Sequence, residues 1–206
     1  MLYQDPPNSD LEVPYEDDTM RISGLTHIRD YINEDEQSKL LNLIDQAEWS
    51  PILKRRVQHY GYRYDYKKGL LTSSSYLGAL PDWAKSLANK FVADGLTAKV
   101  PDQVIVNEYK PGQGIMSHID CVPCFGNTII SLSLGSTCVM DLTHSLTKEK
   151  VSIFLLPGSV LVLQREARYD WEHSITARKK DKYQGKKLVR NRRLSVTFRE
   201  VLFPYK

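Results

Sequence analysis

Six short runs rich in β-branched and aromatic residues fill the second half of this chain, and their spacing constrains the fold more than any other feature. They cover 104–109, 129–134, 137–142, 151–155, 160–163 and 194–202, separated by Pro-Gly, Gly-Ser and Gly-Asn turn signals. Runs this short and this closely spaced suit a β-sandwich or barrel, not alternating βαβ units. Ahead of them lie two helical patterns. Asn33 can cap the first, with Glu36 three residues on and Leu40, Leu41, Ile44 and Ala47 forming its apolar face. The second covers 82–94, with Trp83, Leu87 and Phe91 at helical spacing, Pro81 ahead and Gly95 behind. Helices first and strands afterwards predict an α+β fold, a double-stranded β-helix (jelly roll) with N-terminal helices buttressing one sheet.

The 206 residues, 41% hydrophobic and 26% charged, suffice for one domain over 21–206, preceded by an irregular acidic arm over 1–20. With no apolar run of about 18 residues, a soluble intracellular protein without membrane contact is expected, cytoplasmic or, in a eukaryote, nuclear. We expect a monomer. Cys121, Cys124 and Cys138 are too few and too unevenly placed for a disulfide framework, in keeping with a reducing compartment. Cys121-x-x-Cys124 has no second pair to complete a zinc site and no thioredoxin-like context; it reads as a target for oxidation. Charge is uneven: residues 5–36 hold ten acids against Arg21 and Arg29, and 178–193 hold nine Lys/Arg against Asp181. A basic stretch of this kind is either solvated charge or a contact for a phosphate backbone.

Chemistry enters with His118-Ile119-Asp120. On an extended segment, residues two apart share a face, so an imidazole nitrogen and a carboxylate oxygen can reach one ion. His173 would complete a two-His, one-carboxylate set, which leaves non-haem Fe(II) with open positions. A chance His-x-Asp and a hydrogen-bonded rim histidine are the plainer readings. His27, His59 and His144 have no carboxylate two residues away. Near the end of the chain, Arg193, Ser195, Thr197 and Arg199 share one strand face, and Leu194, Val196 and Phe198 the other. Turned into a barrel, two arginines need an anionic partner such as a small dicarboxylate; turned outward, they would simply meet water.

From about residue 55 to 201 the chain resembles the AlkB family of Fe(II)/2-oxoglutarate dioxygenases. The linked motifs are Asn107-x-Tyr109, Pro111-Gly112, His118-x-Asp120, the distal His173 and Arg193-x₅-Arg199. That resemblance implies Fe(II) held by His118, Asp120 and His173, which are then the catalytic residues, with 2-oxoglutarate and O₂ as co-substrates. It implies that Arg193 and Tyr109 bind the distal carboxylate of 2-oxoglutarate, that Asn107 and Arg199 lie at its keto-acid end, and that Ser195 and Thr197 line the cofactor site. It further implies oxidation of alkylated or modified bases in DNA or RNA, tRNA among them, as in oxidative demethylation during repair. The family's nucleotide-recognition lid would fall on 54–66, where Arg55, Arg56, His59, Tyr60 and Tyr62 become candidate substrate contacts together with Trp171. Repair members carry an acid two places after the metal Asp, and this chain has Val122. Ser174 likewise replaces a usual glycine after the distal histidine. The stretches 57–62, 130–136 and 168–173 are similar to the branch that hydroxylates a modified wobble uridine in tRNA, although 206 residues leave no room for that branch's RNA-recognition and methyltransferase domains. A dioxygenase of proteins or small molecules is the alternative.

Overall fold

A computed structural model of the chain describes residues 21–51, 54–65 and 71–202. The acidic arm over 1–20 and Tyr66 lie outside the described residues. The strands are β1 (Leu25–Ile28), β2 (Val57–Tyr60), β3 (Gln103–Tyr109), β4 (Ile115–His118), β5 (Phe125–Gly135), β6 (Cys138–His144), β7 (Lys150–Leu155), β8 (Val160–Leu163), β9 (Trp171–Ile175), β10 (Lys180–Tyr183), β11 (Lys186–Val189) and β12 (Arg193–Val201). The helices are α1 (Glu34–Gln46), α2 (Asp82–Ala93) and the short α3 (Arg165–Tyr169). A six-stranded sheet runs β1-β8-β5-β12-β3-β2, a four-stranded sheet runs β4-β9-β6-β7, and β10-β11 form a separate hairpin. This is the jelly roll with buttressing helices that the order of elements predicts.

Alternation along β12 divides the interior. Leu194, Val196 and Phe198 join Phe91, Ala84, Ala88 and Ile44 in a core between the six-stranded sheet and the two long helices. Phe91 meets Phe198 edge-on at 5.0 Å. The opposite face of that sheet packs on the four-stranded sheet, where Tyr109, Ile129 and Leu161 meet Met140, Leu142 and Trp171. Within this second layer runs a polar row from β12, comprising Arg193, Ser195, Thr197 and Arg199, all at most 9% exposed. The arginines therefore point inward. Helix α1 begins where its sequence says it should: the Asn33 side chain accepts from the Glu36 N–H and Glu36 accepts from the Asn33 N–H, a cap worth ~1 kcal/mol.

Two expectations need correction. The stretch 54–66 is not all lid, because Val57–Tyr60 pairs antiparallel with β3 as the edge of the six-stranded sheet. Its alternation was obscured because aromatic residues face both sides of it. The cysteines are not all thiols either: Cys121 and Cys124 form a disulfide, while Cys138 is free and buried. A tight turn in which the N–H groups of Cys124 and Phe125 both donate to the Cys121 carbonyl brings the two Cα atoms to 5.3 Å, within bridging range. Among the described residues, no helix is long and apolar enough to cross a membrane.

Candidate metal centre and substrate cavity

His118 ends β4 and sits directly opposite His173 in the register between β4 and β9. The strands can come this close because Gly114 has no side chain; a Cβ there would lie 2.1 Å from the Ile175 carbonyl oxygen. The two imidazole rings stand 4.3 Å apart, centre to centre. Asp120 follows two residues beyond the strand. One ligand atom from each of His118, Asp120 and His173 lies within 4.8 Å of the other two, close enough for all three to reach a single ion. His118 Nδ1 donates to the Met116 carbonyl at 2.8 Å, which leaves Nε2 with its lone pair for a metal.

The electrostatics keep Asp120 and His173 in a ligating form. Burial alone would push the Asp120 carboxyl up, but Arg199, His173, His118 and Arg168 outweigh it and hold the group below its ordinary range. Burial, then His118, pushes His173 down to about 4, so its imidazole is neutral at pH 7. Asp120 Oδ1 accepts from Arg199 Nη2 at 2.9 Å, and Asp120 Oδ2 is buried with no partner. Nearby, Arg193 donates through Nη2 to Ser133 Oγ at 2.8 Å, but its Nε and Nη1, like the Nε of Arg199, are buried and unpaired. A native interior rarely leaves a carboxylate oxygen and three guanidinium N–H groups unsatisfied. They mark places for a cation and for an anion.

A cavity of about 1000 Å³ opens over His118 and Asp120, lined also by Asn107, Arg199, Lys54, Arg55, Tyr64 and Phe125 among others. The sequence pattern that defines the 2OG-Fe(II) oxygenase superfamily matches residues 42–199, most of the chain. The chain belongs to the 2OG-Fe(II) oxygenase superfamily. Within that superfamily it is AlkB-like. An uncharacterized protein, L905, of Acanthamoeba polyphaga mimivirus is 38% identical over 184 residues, covering 88% of this chain and 86% of its own. The tRNA (carboxymethyluridine(34)-5-O)-methyltransferase ALKBH8 of Macaca fascicularis is 38% identical over 170 residues, 79% of this chain but only 26% of that protein. The solved structure of OsALKBH1 superposes with a TM-score of 0.65 over 86% of this chain and 98% of its own; at 17% identity it speaks for the fold alone.

A 2OG-Fe(II) oxygenase uses Fe(II), 2-oxoglutarate and O₂, and the unpaired atoms fit that inventory. Asp120 Oδ2 and the two imidazoles offer a hard oxygen and two nitrogens to iron, and the open N–H groups of Arg193 match a carboxylate. Ser195 and Thr197 continue the same face, with Ser195 Oγ 2.9 Å from Ser131 Oγ. Tyr109 lies between two guanidinium groups, those of Arg193 at 5.5 Å and Arg55 at 5.7 Å from its ring centre. Asn107 Oδ1 accepts from Arg55 Nε at 2.9 Å.

The candidate substrate contacts separate. Arg55 lines the cavity. Arg56 instead grips Glu108 at 2.5 and 2.8 Å and covers the Trp49 ring. Tyr60 faces the helices, edge-on to Trp83, because period two along β2 sends it to the opposite side from His59. Trp171 is a core residue, 4% exposed, standing edge-on to His144. Tyr62 packs against Tyr76 outside the cavity lining. Lys54 and Tyr64, inside the stretch 54–66 though not among the named contacts, are on the wall; what sequence reasoning missed is Phe125 beside them, and behind it Arg168. This guanidinium, 2% exposed, donates to the carbonyls of Asp120, Cys121, Phe125 and Gly126. Its signal in the sequence is its place at the head of the stretch 168–173, five residues before His173.

His59 carries a prediction. Burial, with Arg63 and Arg199 nearby, pushes its pKa from 6.5 down to about 4. Between those values the unfolded chain binds a proton that the folded protein refuses, so stability falls as pH drops from 6.5 toward 4. In urea titrations of metal-free protein, His59→Gln should flatten the decline of the midpoint across that window; an unchanged pH profile would refute this account of His59.

Proposed function

We propose that the protein hydroxylates a carbon on an alkylated or modified base held in nucleic acid. The observation that carries this reading is the cavity itself: it opens on His118 and Asp120, offers the half-buried ring of Tyr64, and is flanked by the cations Lys54 and Arg55. A flipped base needs a π-face to stack on and positive charge for its phosphates. The relation to ALKBH8 supports the same substrate class. When iron, 2-oxoglutarate and O₂ are bound, they supply oxidation of a C–H bond to C–OH, with succinate and CO₂ as co-products; on an N-methyl group the product then releases formaldehyde.

In this proposal His118, Asp120 and His173 hold the iron. Arg193 and Tyr109 hold the distal carboxylate of 2-oxoglutarate, Ser195 and Thr197 line its path, and Asn107 and Arg199 attend its keto-acid end. Arg199 also fixes the rotation of Asp120, leaving Oδ2 free for the metal. Arg168 holds the main chain after Asp120, so the ligand cannot swing out with its loop. An intracellular, monomeric enzyme completes the reading.

One observation favours a particular target. Where repair members carry an acid, Val122 is 47% exposed and absent from the cavity lining. With no carboxylate there to meet the exocyclic amine of adenine or cytosine, a uridine side chain in tRNA is favoured over N-methyl repair. The test is mass spectrometry of nucleosides from methylated DNA, methylated RNA and total tRNA after incubation with iron, 2-oxoglutarate and O₂. We expect gain of one oxygen or loss of a methyl group in at least one pool, matched by succinate. Succinate release with every nucleoside unchanged would overturn the proposal.

A further inference from the structure

The β10–β11 hairpin lies outside the two facing sheets, yet it is fastened to the cavity wall. Tyr183 and Leu188 pack on Val139 and Phe154, with the Phe154 and Tyr183 rings stacked at 5.2 Å. Beneath them Asp181, 2% exposed, accepts from Arg190 Nε and Nη2 at 2.6 and 2.7 Å, from Arg178 Nε at 2.7 Å and from the Val139 N–H at 3.2 Å. Arg190 Nη1 then donates to the carbonyls of Thr176 and Gln113, at 2.7 and 3.4 Å. Both of those residues line the cavity. Such a base holds the hairpin still.

Its outward face is unlike an ordinary solvated surface. Lys180, Lys182 and Lys187 are exposed on it, as are Lys179 and Lys186 at the hairpin's margins, and Lys182 stands directly across from Lys187 in the register. Like charges in that position destabilise a hairpin. Lys179, Lys180, Lys182 and Lys187 have no acidic partner among the described residues. A surface chosen only for solubility would intersperse both signs. The row also starts at the rim: the Gly112 N–H donates to the Arg178 carbonyl at 3.2 Å, and a side chain at Gly112, which lines the cavity, would meet Lys179 Cγ at 3.9 Å.

The geometry points to a phosphate track: the substrate is a polynucleotide whose target base enters the cavity while its backbone crosses the rim at Lys179 and runs along the outer face of the hairpin. This rests on the nucleic-acid reading of the cavity and adds that a free nucleoside is a poor substitute for a strand. Lys179 and Lys182 are three strand steps apart, ~10 Å, and Lys187 stands beside Lys182 on the other strand, so a passing backbone meets cations in succession.

The experiment measures binding of fluorescent single-stranded RNA and DNA oligonucleotides against salt, for wild type, Lys182→Gln/Lys187→Gln, the fourfold variant that adds Lys179→Gln and Lys180→Gln, and a control, Lys39→Gln/Lys85→Gln, on α1 and α2. Each phosphate contact contributes ~0.7 to the slope of log affinity on log salt, so the fourfold variant should lose up to ~3 and the hairpin pair up to ~1.4; the control pair should lose almost nothing. Turnover on a modified nucleoside should be unchanged in every variant, while kcat/KM on the oligonucleotide drops at least tenfold in the fourfold variant. Relief of the Lys182–Lys187 repulsion should leave the urea midpoint no lower than wild type. Equal slopes for wild type and hairpin variants would overturn the track while leaving the base-oxidising site standing. So would parallel loss of nucleoside turnover, or loss of binding to phosphatidylserine vesicles with oligonucleotide binding intact. If wild type turns over no modified base in either form, it is the cavity reading that fails.

Discussion

Asp120→Ala is expected to remove both metal binding and turnover. The substitution takes away one donor of three and the only anionic one, and it leaves the buried Arg199 guanidinium without its carboxylate. Outer-shell partners alone are worth ~10–100-fold in metal affinity or activity, so loss of a donor in direct contact should exceed that range. Iron-dependent succinate release should fall to background, and Co(II) or Mn(II) titration should show no saturable site. Asp120→Asn separates charge from shape: it keeps a side-chain oxygen near Arg199 yet should still bind metal far more weakly, because the carboxylate charge is gone. Retention of wild-type metal affinity in Asp120→Ala, with circular dichroism confirming a folded protein, would mean that His118 and His173 do not depend on this carboxylate and that the iron sits elsewhere.

Arg193→Met should move two measurements in opposite directions. Without 2-oxoglutarate, a guanidinium at 2% exposure with two unpaired nitrogens is a burden on the fold, and an apolar side chain of similar length removes it, so the urea midpoint of the variant should equal or exceed that of wild type. With 2-oxoglutarate the same change strips the site of its carboxylate partner. Truncating one side of a buried charge pair costs ~2–5 kcal/mol, a rise in the half-saturating 2-oxoglutarate concentration of roughly 30-fold or more. Arg193→Lys should fall between, since a point charge cannot present two parallel N–H donors. A variant that loses stability and keeps its affinity for 2-oxoglutarate would make Arg193 a structural residue and place the co-substrate elsewhere.

How much of this could be read beforehand depended on whether a residue's local pattern and its environment agree. Asn33 and Glu36 announce α1 because the capping box is a local device. The run over 160–163 coincides with β8 because four consecutive apolar residues admit few alternatives. The residues proposed for metal and cofactor stand out through spacing: His118 and Asp120 two apart, Arg193 and Arg199 on one strand face. Other elements were masked. In β10 and β11 the lysines surround Tyr183 and Leu188 so densely that the stretch reads as a charged loop. In β4 the burial pattern has no fully buried position, so it gives no period to find. Arg168 was hidden for the opposite reason: a buried arginine and a surface arginine are the same letter, and only the backbone carbonyls around it tell them apart.

Those carbonyls have a consequence for how the enzyme changes over generations. The path of the segment from Asp120 to Gly126 is dictated by a residue outside it, through main-chain oxygens that every amino acid possesses. At the exposed positions of that stretch, the main-chain path therefore depends little on the side chain. Val122, exposed within it, can be exchanged for an acid or an aromatic residue without displacing Asp120, so this position is open to variation while the neighbouring carboxylate stays in place.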